Sequence, residues 1–230
     1  MNKILIFTAT YNEVLNIDIL LDKINKYSQN ADILIVDDNS SDGTIKVLKK
    51  FEQQYKNINL IIRQKKLGLN TAHKVGYNYA IKNNYDYFIT LDADLSHDPA
   101  VIPEFIRLLN SNSFVIGSRY AKGGKCELPV ARLLLSVLGN KFIKLFTRIK
   151  CSEFTTSYRG FNLRRIKNFD MNLVKSNGYS FFMETIFLVS KFNVIVEIPI
   201  NFKNRTSGQS KIPKIEIIRT LINLFRLRLF

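Results

Sequence analysis

Residues 87–99 read YFITLDADLSHDP, an aromatic and β-branched run followed at once by Asp92, Asp94, His97 and Asp98. Short apolar runs that stop at polar, turn-forming residues are characteristic of strands buried in a parallel sheet. The same pattern recurs upstream. Ile33-Leu34-Ile35-Val36 leads into Asp37-Asp38-Asn39-Ser40-Ser41-Asp42-Gly43, and Ile4-Leu5-Ile6-Phe7 leads into Thr8-Ala9-Thr10-Tyr11-Asn12-Glu13. Each run delivers a loop that carries acid.

The segments between these runs have helical periodicity: Val14, Ile17, Leu20, Leu21 and Ile24 recur at three- and four-residue intervals. The pattern predicts strands over 3–8, 33–36, 58–63, 85–91 and 114–118, with helices over 13–28, 43–56, 69–83 and 99–110. Such alternation predicts an α/β fold with a mainly parallel central sheet flanked by helices. Ligands in that architecture gather beyond the carboxyl ends of the strands, where the acidic loops lie.

Composition sets the other limits. With 230 residues, 46% of them hydrophobic, the chain can bury a substantial core in one domain or two. Its net charge of +15 favours anionic partners: nucleic acid, an acidic membrane face or a phosphorylated small molecule. Cys126 and Cys151 make no disulfide framework, and the four-residue apolar run at the N-terminus is too short for a signal-peptide core. A reducing, cytoplasmic setting is expected.

Asp92 and Asp94 are two positions apart, so an extended chain would point both carboxylates at one ligand. Asp37-Asp38 leaves a neighbouring strand at the same edge. Close like charges repel, and a cation relieves them. Oxygen ligands without cysteines or paired histidines suit Mg²⁺ or Mn²⁺, with phosphate oxygens completing the shell. Asp98, before Pro99, reads as a helix cap, and His97 as a structural or solvated turn residue.

Five segments in order now carry a resemblance: Thr10-Tyr11-Asn12-Glu13; Val36-Asp37-Asp38-Asn39-Ser40 with Asp42-Gly43-Thr44; Leu67-Gly68-Leu69; Asp92-Ala93-Asp94-Leu95-Ser96-His97; and Gly117-Ser118-Arg119-Tyr120. Together they resemble family-2 glycosyltransferases of the dolichol-phosphate mannose synthase type, over nearly the whole chain. The resemblance implies a GT-A fold that binds a nucleotide-sugar, of the GDP-mannose or UDP-glucose class, through Ala9, Tyr11, Glu13, Asp37, Asp38, Asp92, Ala93 and Asp94. It implies a metal held by Asp92, Asp94 and Ser96. Departures from the family pattern are Ala9 for Pro, Asn70 for Gly, Ser96 for Gln, and Ser157 for Gly in the run Glu153-Phe154-Thr155-Thr156-Ser157-Tyr158-Arg159. Ser157 stands near the site, where a glycine's backbone freedom bears on sugar or acceptor preference. The chain has no tryptophan and so lacks the Gln-x-x-Arg-Trp element of processive relatives.

In the second half, Arg132, Ser136, Asn140, Lys144 and Arg148 recur every four residues through an apolar stretch, a polar and basic stripe on a greasy helix. Lys144 and Arg148 read as a solvated face. For Arg132 and Ser136 the resemblance implies contact with the phosphate of a polyprenyl phosphate acceptor, together with Arg119. A monoester phosphate is already largely dianionic at neutral pH, so it needs arginines rather than a base. Asp94, Arg119 and Arg132 are then the expected catalytic residues. Phe202 to Lys211 resembles the family's donor-closing loop, with Arg205, Ser210 and Lys211 toward the diphosphate. Glu184 matches a family glutamate of no assigned role.

The expected organisation is a glycosyltransferase domain over 1–212, with a nucleotide-sugar and metal half (1–120) and an acceptor half (121–212). An amphipathic helix over 213–230 follows, too short and too charged to span a bilayer. It would lie on the cytoplasmic face of a membrane or dock a membrane protein. The expected activity is inverting, metal-dependent transfer of a hexose, mannose or glucose, to polyprenyl or dolichyl phosphate. A hydroxyl acceptor on a glycan or lipopolysaccharide is the alternative and would call on Glu153 or Glu184 as base. A basic nucleic-acid-binding protein is the remote alternative, and the Asp92/Asp94 pair opposes it.

Overall fold

The structure, a computed structural model, describes residues 2–203, 220 and 222–226. Three strand-helix units open the chain: β1 (Ile4–Thr10) and α1 (Ile17–Tyr27), β2 (Ala31–Asp37) and α2 (Thr44–Gln54), β3 (Ile58–Ile62) and α3 (Leu69–Lys82). Then come β4 (Tyr87–Thr90), a 3₁₀ turn at Pro99–Val101, α4 (Ile102–Leu109), β5 (Phe114–Ser118), β6 (Lys125–Cys126) and α5 (Val130–Thr147). The last elements named are β7 (Arg159–Asn162), α6 (Tyr179–Ser190), β8 (Ile195–Pro199) and β9 (Asn201–Phe202).

Seven strands form one sheet in the order β3-β2-β1-β4-β7-β5-β8, and β6 pairs with β9 separately. Only β7 runs antiparallel within the seven; its neighbours are β4 and β5. The sheet is therefore mainly parallel, as the alternation required. The order reverses between β1 and β4, which opens a crevice beyond their carboxyl ends. β7 and β8 come from the second half of the chain, so both halves contribute strands to one sheet.

Side chains alternating along each strand feed two cores. Leu5, Phe7, Leu34, Val36 and Phe88 join Ala72 and Tyr77 of α3 and Phe181, Met183 and Ile186 of α6 on one face. Ile4, Ile6, Ile33 and Ile35 pack against Leu20, Leu21 and Ile24 of α1, Leu48 of α2 and Phe105 of α4 on the other. Gly76 lets α3 come down on the sheet, for a Cβ there would stand 2.4 Å from the Phe7 ring.

α3 starts at Leu69 as the periodicity suggests, whereas α1 and α4 start later. Val14 and Leu15 belong to a turn in which the Glu13 carbonyl accepts from the amides of Asn16 and Ile17, and only then does α1 begin. Among the described residues no helix is long and apolar enough to cross a membrane.

Candidate active site

The loops after β1 and β2 are stitched together. The amide of Asn12 donates to Ser40 Oγ (2.8 Å), that of Ser41 to Asn12 Oδ1 (3.0 Å) and that of Glu13 to Thr44 Oγ1 (2.9 Å). Asp37 is fully buried and accepts from Thr10 Oγ1, from the amide of Ser40 and from Ser40 Oγ, all within 2.8 Å. Asp38 is also buried; it forms an ion pair with Arg63 and accepts from the amides of Leu67 and Gly68. Both carboxylates are buried at the strand ends where the acid was expected. They spend their charge inside, because a buried carboxylate must be paired or hydrogen-bonded, and they shape the loops that form the rim. Tyr11 is 40% exposed there with Lys66 Nζ 3.9 Å above its ring, whereas Ala9 is half-buried against the core.

The loop after β4 turns instead of staying extended. Leu95 has a φ of 62°, a left-handed conformation that a branched side chain adopts at some cost. That turn brings the Ser96 amide (3.1 Å) and Ser96 Oγ (2.6 Å) onto Asp94 Oδ1. Ser96 is fully buried, so its hydroxyl braces Asp94 where a metal ligand was expected. Asp92 keeps its side chain 29% exposed and accepts from Ser157 Oγ at 2.6 Å. His97 is buried between Tyr158 and Phe202, and its Nδ1 accepts from the Asp92 amide at 3.2 Å. Burial lowers its pKa, and the carboxylates of Asp92 and Asp94 only partly offset that. A neutral ring whose Nδ1 is an acceptor makes no ion pair with Asp92, although Oδ2 lies 3.7 Å away. Asp98 caps the following turn through a bond from the Ala100 amide, as its place before Pro99 implied.

A second cluster lies beyond β5. Arg119 is gripped by Glu153 through Nε to Oε2 and Nη2 to Oε1, both 2.7 Å, and donates from Nη2 to Thr155 Oγ1 at 3.0 Å. Burial opposes the charge on Arg119, but the attraction and hydrogen bonds of Glu153 outweigh it and raise the pKa. The ring of Phe202 covers the guanidinium at 5.0 Å, and that of Tyr120 lies at 5.1 Å. Tyr120 then donates from its hydroxyl to Ser136 Oγ on α5 at 2.7 Å, which ties Arg119 to the helix. That link was not legible in advance; Tyr120 was quoted for its motif, with nothing to show where its hydroxyl points. Lys203 lies at this rim, where its amide donates to the Ser96 carbonyl. Arg205, Ser210 and Lys211 lie outside the described residues.

Helix α5 divides the polar stripe between the protein and the surface. Asn140, from the polar stripe, is buried and accepts from the Phe154 amide at 2.7 Å, while Val130, Leu134, Leu135, Leu138, Phe142 and Leu145 are exposed. Ser136 and Asn140 face the protein because they have polar partners there. The apolar face therefore points away from it, although Arg132, Lys144 and Arg148 remain at the surface. From the expected C-terminal helix, only 220 and 222–226 are described. Leu224 is buried, Ile222 and Phe225 are exposed, and the Phe225 ring lies 5.1 Å from Phe146 of α5. Glu184 accepts from the amides of Lys175 (3.1 Å) and Ser176 (2.7 Å), so it organises the turn before α6.

This geometry has counterparts among known proteins. Residues 5–170 match the family model described as Glycosyl transferase family 2. The chain belongs to glycosyl transferase family 2. Among relatives of this family-2 glycosyltransferase is the undecaprenyl-phosphate mannosyltransferase of Micrococcus luteus, 28% identical over 97% of this chain and 93% of that one. Another is the dolichol-phosphate mannosyltransferase of Pyrococcus furiosus, 33% identical over 98% of this chain, which spans only 63% of that longer protein. The fold is shared with the Mycobacterium tuberculosis glucosyl-3-phosphoglycerate synthase bound to Mn²⁺, UDP-glucose and phosphoglyceric acid (TM-score 0.68, 13% identity, 98% and 79% of the two chains). It is shared also with a Pyrobaculum calidifontis mannosyltransferase bound to GDP-Man and Mn²⁺ (TM-score 0.60, 16% identity, 99% and 64%). The fold is thus of the GT-A type, as expected.

Proposed function

We propose that this glycosyltransferase moves a hexose, mannose first and glucose second, from a nucleotide-sugar to the phosphate of a polyprenyl phosphate. The observation that carries the reading is the fate of the two carboxylates that a hydroxyl acceptor would require. Glu153 is fully buried and bidentate with Arg119, and Glu184 is occupied by two backbone amides. Neither is available as a base, and a phosphate acceptor needs none.

The donor diphosphate would enter the crevice between the loops after β1 and β4, with Tyr11 and the Glu13 turn on the nucleotide side. Asp92 and Asp94 form a hard, oxygen-only donor set, and among the described residues no group of three His, Cys, Asp or Glu gathers to make an all-protein cage. That suits Mg²⁺ or Mn²⁺ held by two carboxylates, diphosphate oxygens and water. A divalent cation there would neutralise charge on the departing nucleoside diphosphate. Arg132 and Ser136, with Arg119 behind Tyr120, hold the acceptor phosphate near the sugar. One phosphate oxygen attacks the anomeric carbon, the bond to the diphosphate breaks on the opposite side, and the configuration inverts.

The outward leucines of α5 and the adjacent Phe225 give the lipid tail and its bilayer an apolar landing face. Lys141 and Lys144 on the same helix, with Arg148 at its C-terminal cap, meet anionic headgroups. Peripheral attachment at a cytoplasmic membrane face follows from this reading. Arg132→Ala tests it: donor affinity should survive while polyprenyl phosphate use falls at least tenfold, about 1.4 kcal/mol. Equal losses for donor and acceptor would remove Arg132 from the acceptor site.

A further inference from the structure

Two positions at which this chain departs from the family pattern converge on one feature. Ser96 stands where relatives often have glutamine, and its hydroxyl donates to Asp94 Oδ1 at 2.6 Å. Ser157 stands where the family has glycine, and its hydroxyl donates to Asp92 Oδ1, also at 2.6 Å. Each carboxylate of the crevice thus has one oxygen fixed by a serine.

Ser157 is well supported for such a task. It is 3% exposed, Thr90 at the end of β4 donates to its carbonyl, and the next residue, Tyr158, is stacked on Phe105 at 4.5 Å. Its φ is not positive, so the backbone here does not demand the family's glycine and serine fits without strain. Asp92 needs the help: unlike Asp94 its side chain is partly exposed, its own amide donates to His97 Nδ1, and its Oδ2 lies 3.7 Å from that neutral ring without an ion pair. An exposed carboxylate without an outer partner samples several rotamers and must be ordered when a cation arrives. Ser157 also lies in the segment whose Glu153 grips Arg119, so one short loop braces both the donor-side carboxylate and the acceptor-side guanidinium.

We propose that Ser157 is a positioning residue that pre-orients Asp92 for the divalent cation and the donor diphosphate. Ser96 holds Asp94 in the same way, through a hydroxyl bond to one carboxylate oxygen. The inference rests on the metal reading above and names the outer partner of its more exposed ligand.

The test is Mn²⁺ binding measured by electron paramagnetic resonance with the full chain and a nucleoside diphosphate, in the absence of acceptor and turnover. Ser157→Ala and Ser157→Gly should each weaken Mn²⁺ binding roughly tenfold, the lower end of what outer-partner losses cost, with thermal midpoints close to wild type. Asp94→Asn should abolish binding and calibrates the assay. If wild type binds Mn²⁺ and both serine variants bind it equally well, Ser157 does not position Asp92. If wild type binds no Mn²⁺ with any nucleoside diphosphate, the metal reading itself fails. A loss of Mn²⁺ binding matched by a large fall in midpoint in Ala but absent in Gly would assign the effect to packing and overturn the proposal.

Discussion

Replacing Glu153 with leucine leaves Arg119 buried with no counter-charge, and the cost can be worked from the geometry. The two groups meet through a pair of 2.7 Å bonds, with Glu153 fully buried and the Arg119 side chain 10% exposed. At a separation of about 4 Å between charge centres and an effective dielectric near 20, the attraction is about 4 kcal/mol. Desolvation consumes much of that in the intact pair. Removing one partner returns none of it and leaves a charge stranded, which costs roughly 3–5 kcal/mol. Arg119 retains Thr155 and some access to water, so the lower end applies: about 3 kcal/mol, or roughly 6–12 °C in midpoint for a chain of this size. Arg119→Met should cost about as much, because it strands Glu153. The double variant should recover most of the loss, since apolar pairs replace buried ion pairs at little cost. Urea unfolding of the four proteins gives the cycle directly. Additive losses, with the double variant worse than either single, would refute the idea that the pair is one buried unit.

Acid should destabilise the protein through His73, whose pKa falls to about 3, first because of burial among Phe7, Phe181 and Phe182 and then because of the Arg159 charge. The unfolded chain binds that proton below about pH 6.5 and the folded one does not. Stability therefore drops as pH falls from about 6.5 toward 3, by about 2 kcal/mol at pH 5, and His73→Phe should flatten that limb in a pH series of urea melts. Gly76→Ala should cost about 2 kcal/mol, because its Cβ would meet the Phe7 ring at 2.4 Å in a core that cannot yield; a thermal midpoint unchanged from wild type would contradict that close approach. Leu134→Gln with Leu138→Gln should leave stability within about 0.5 kcal/mol, since both are more than half exposed. The same pair should release the protein from anionic vesicles in a co-sedimentation assay, and retention would separate α5 from the membrane.

The fold was legible because buried parallel strands leave continuous apolar runs: Phe114–Ser118 was bounded to the residue, and the runs at Ile4 and Ile33 were each short by a few positions. What the runs do not encode is pairing order, so the antiparallel insertion of β7 between β4 and β5 had no local signature. At the site, residue types were readable and directions were not. Asp37 and Asp38 sit at a strand end as foreseen but turn inward, because Thr10 and Arg63 reach them from distant positions and the local turn brings Ser40 back onto Asp37. Asp98 was readable because a cap is a local event. The stripe on α5 was legible in part: periodicity gives a polar face but not what faces it, so Arg132, Lys144 and Arg148 stay at the surface while Tyr120 and Phe154 supply partners that turn Ser136 and Asn140 inward. On the C-terminal segment, Leu224 is covered by the core while Ile222 and Phe225 stay exposed.

The most direct test of phosphate as acceptor is a matched-acceptor transfer assay. Radiolabelled GDP-mannose and UDP-glucose are each incubated with the full chain, Mn²⁺ and either polyprenyl phosphate or the corresponding polyprenol. The account expects label in the organic phase with the phosphate, none with the alcohol, and none when chelator is present. Label transferred to the alcohol or to a soluble glycan, with polyprenyl phosphate left untouched, would contradict it.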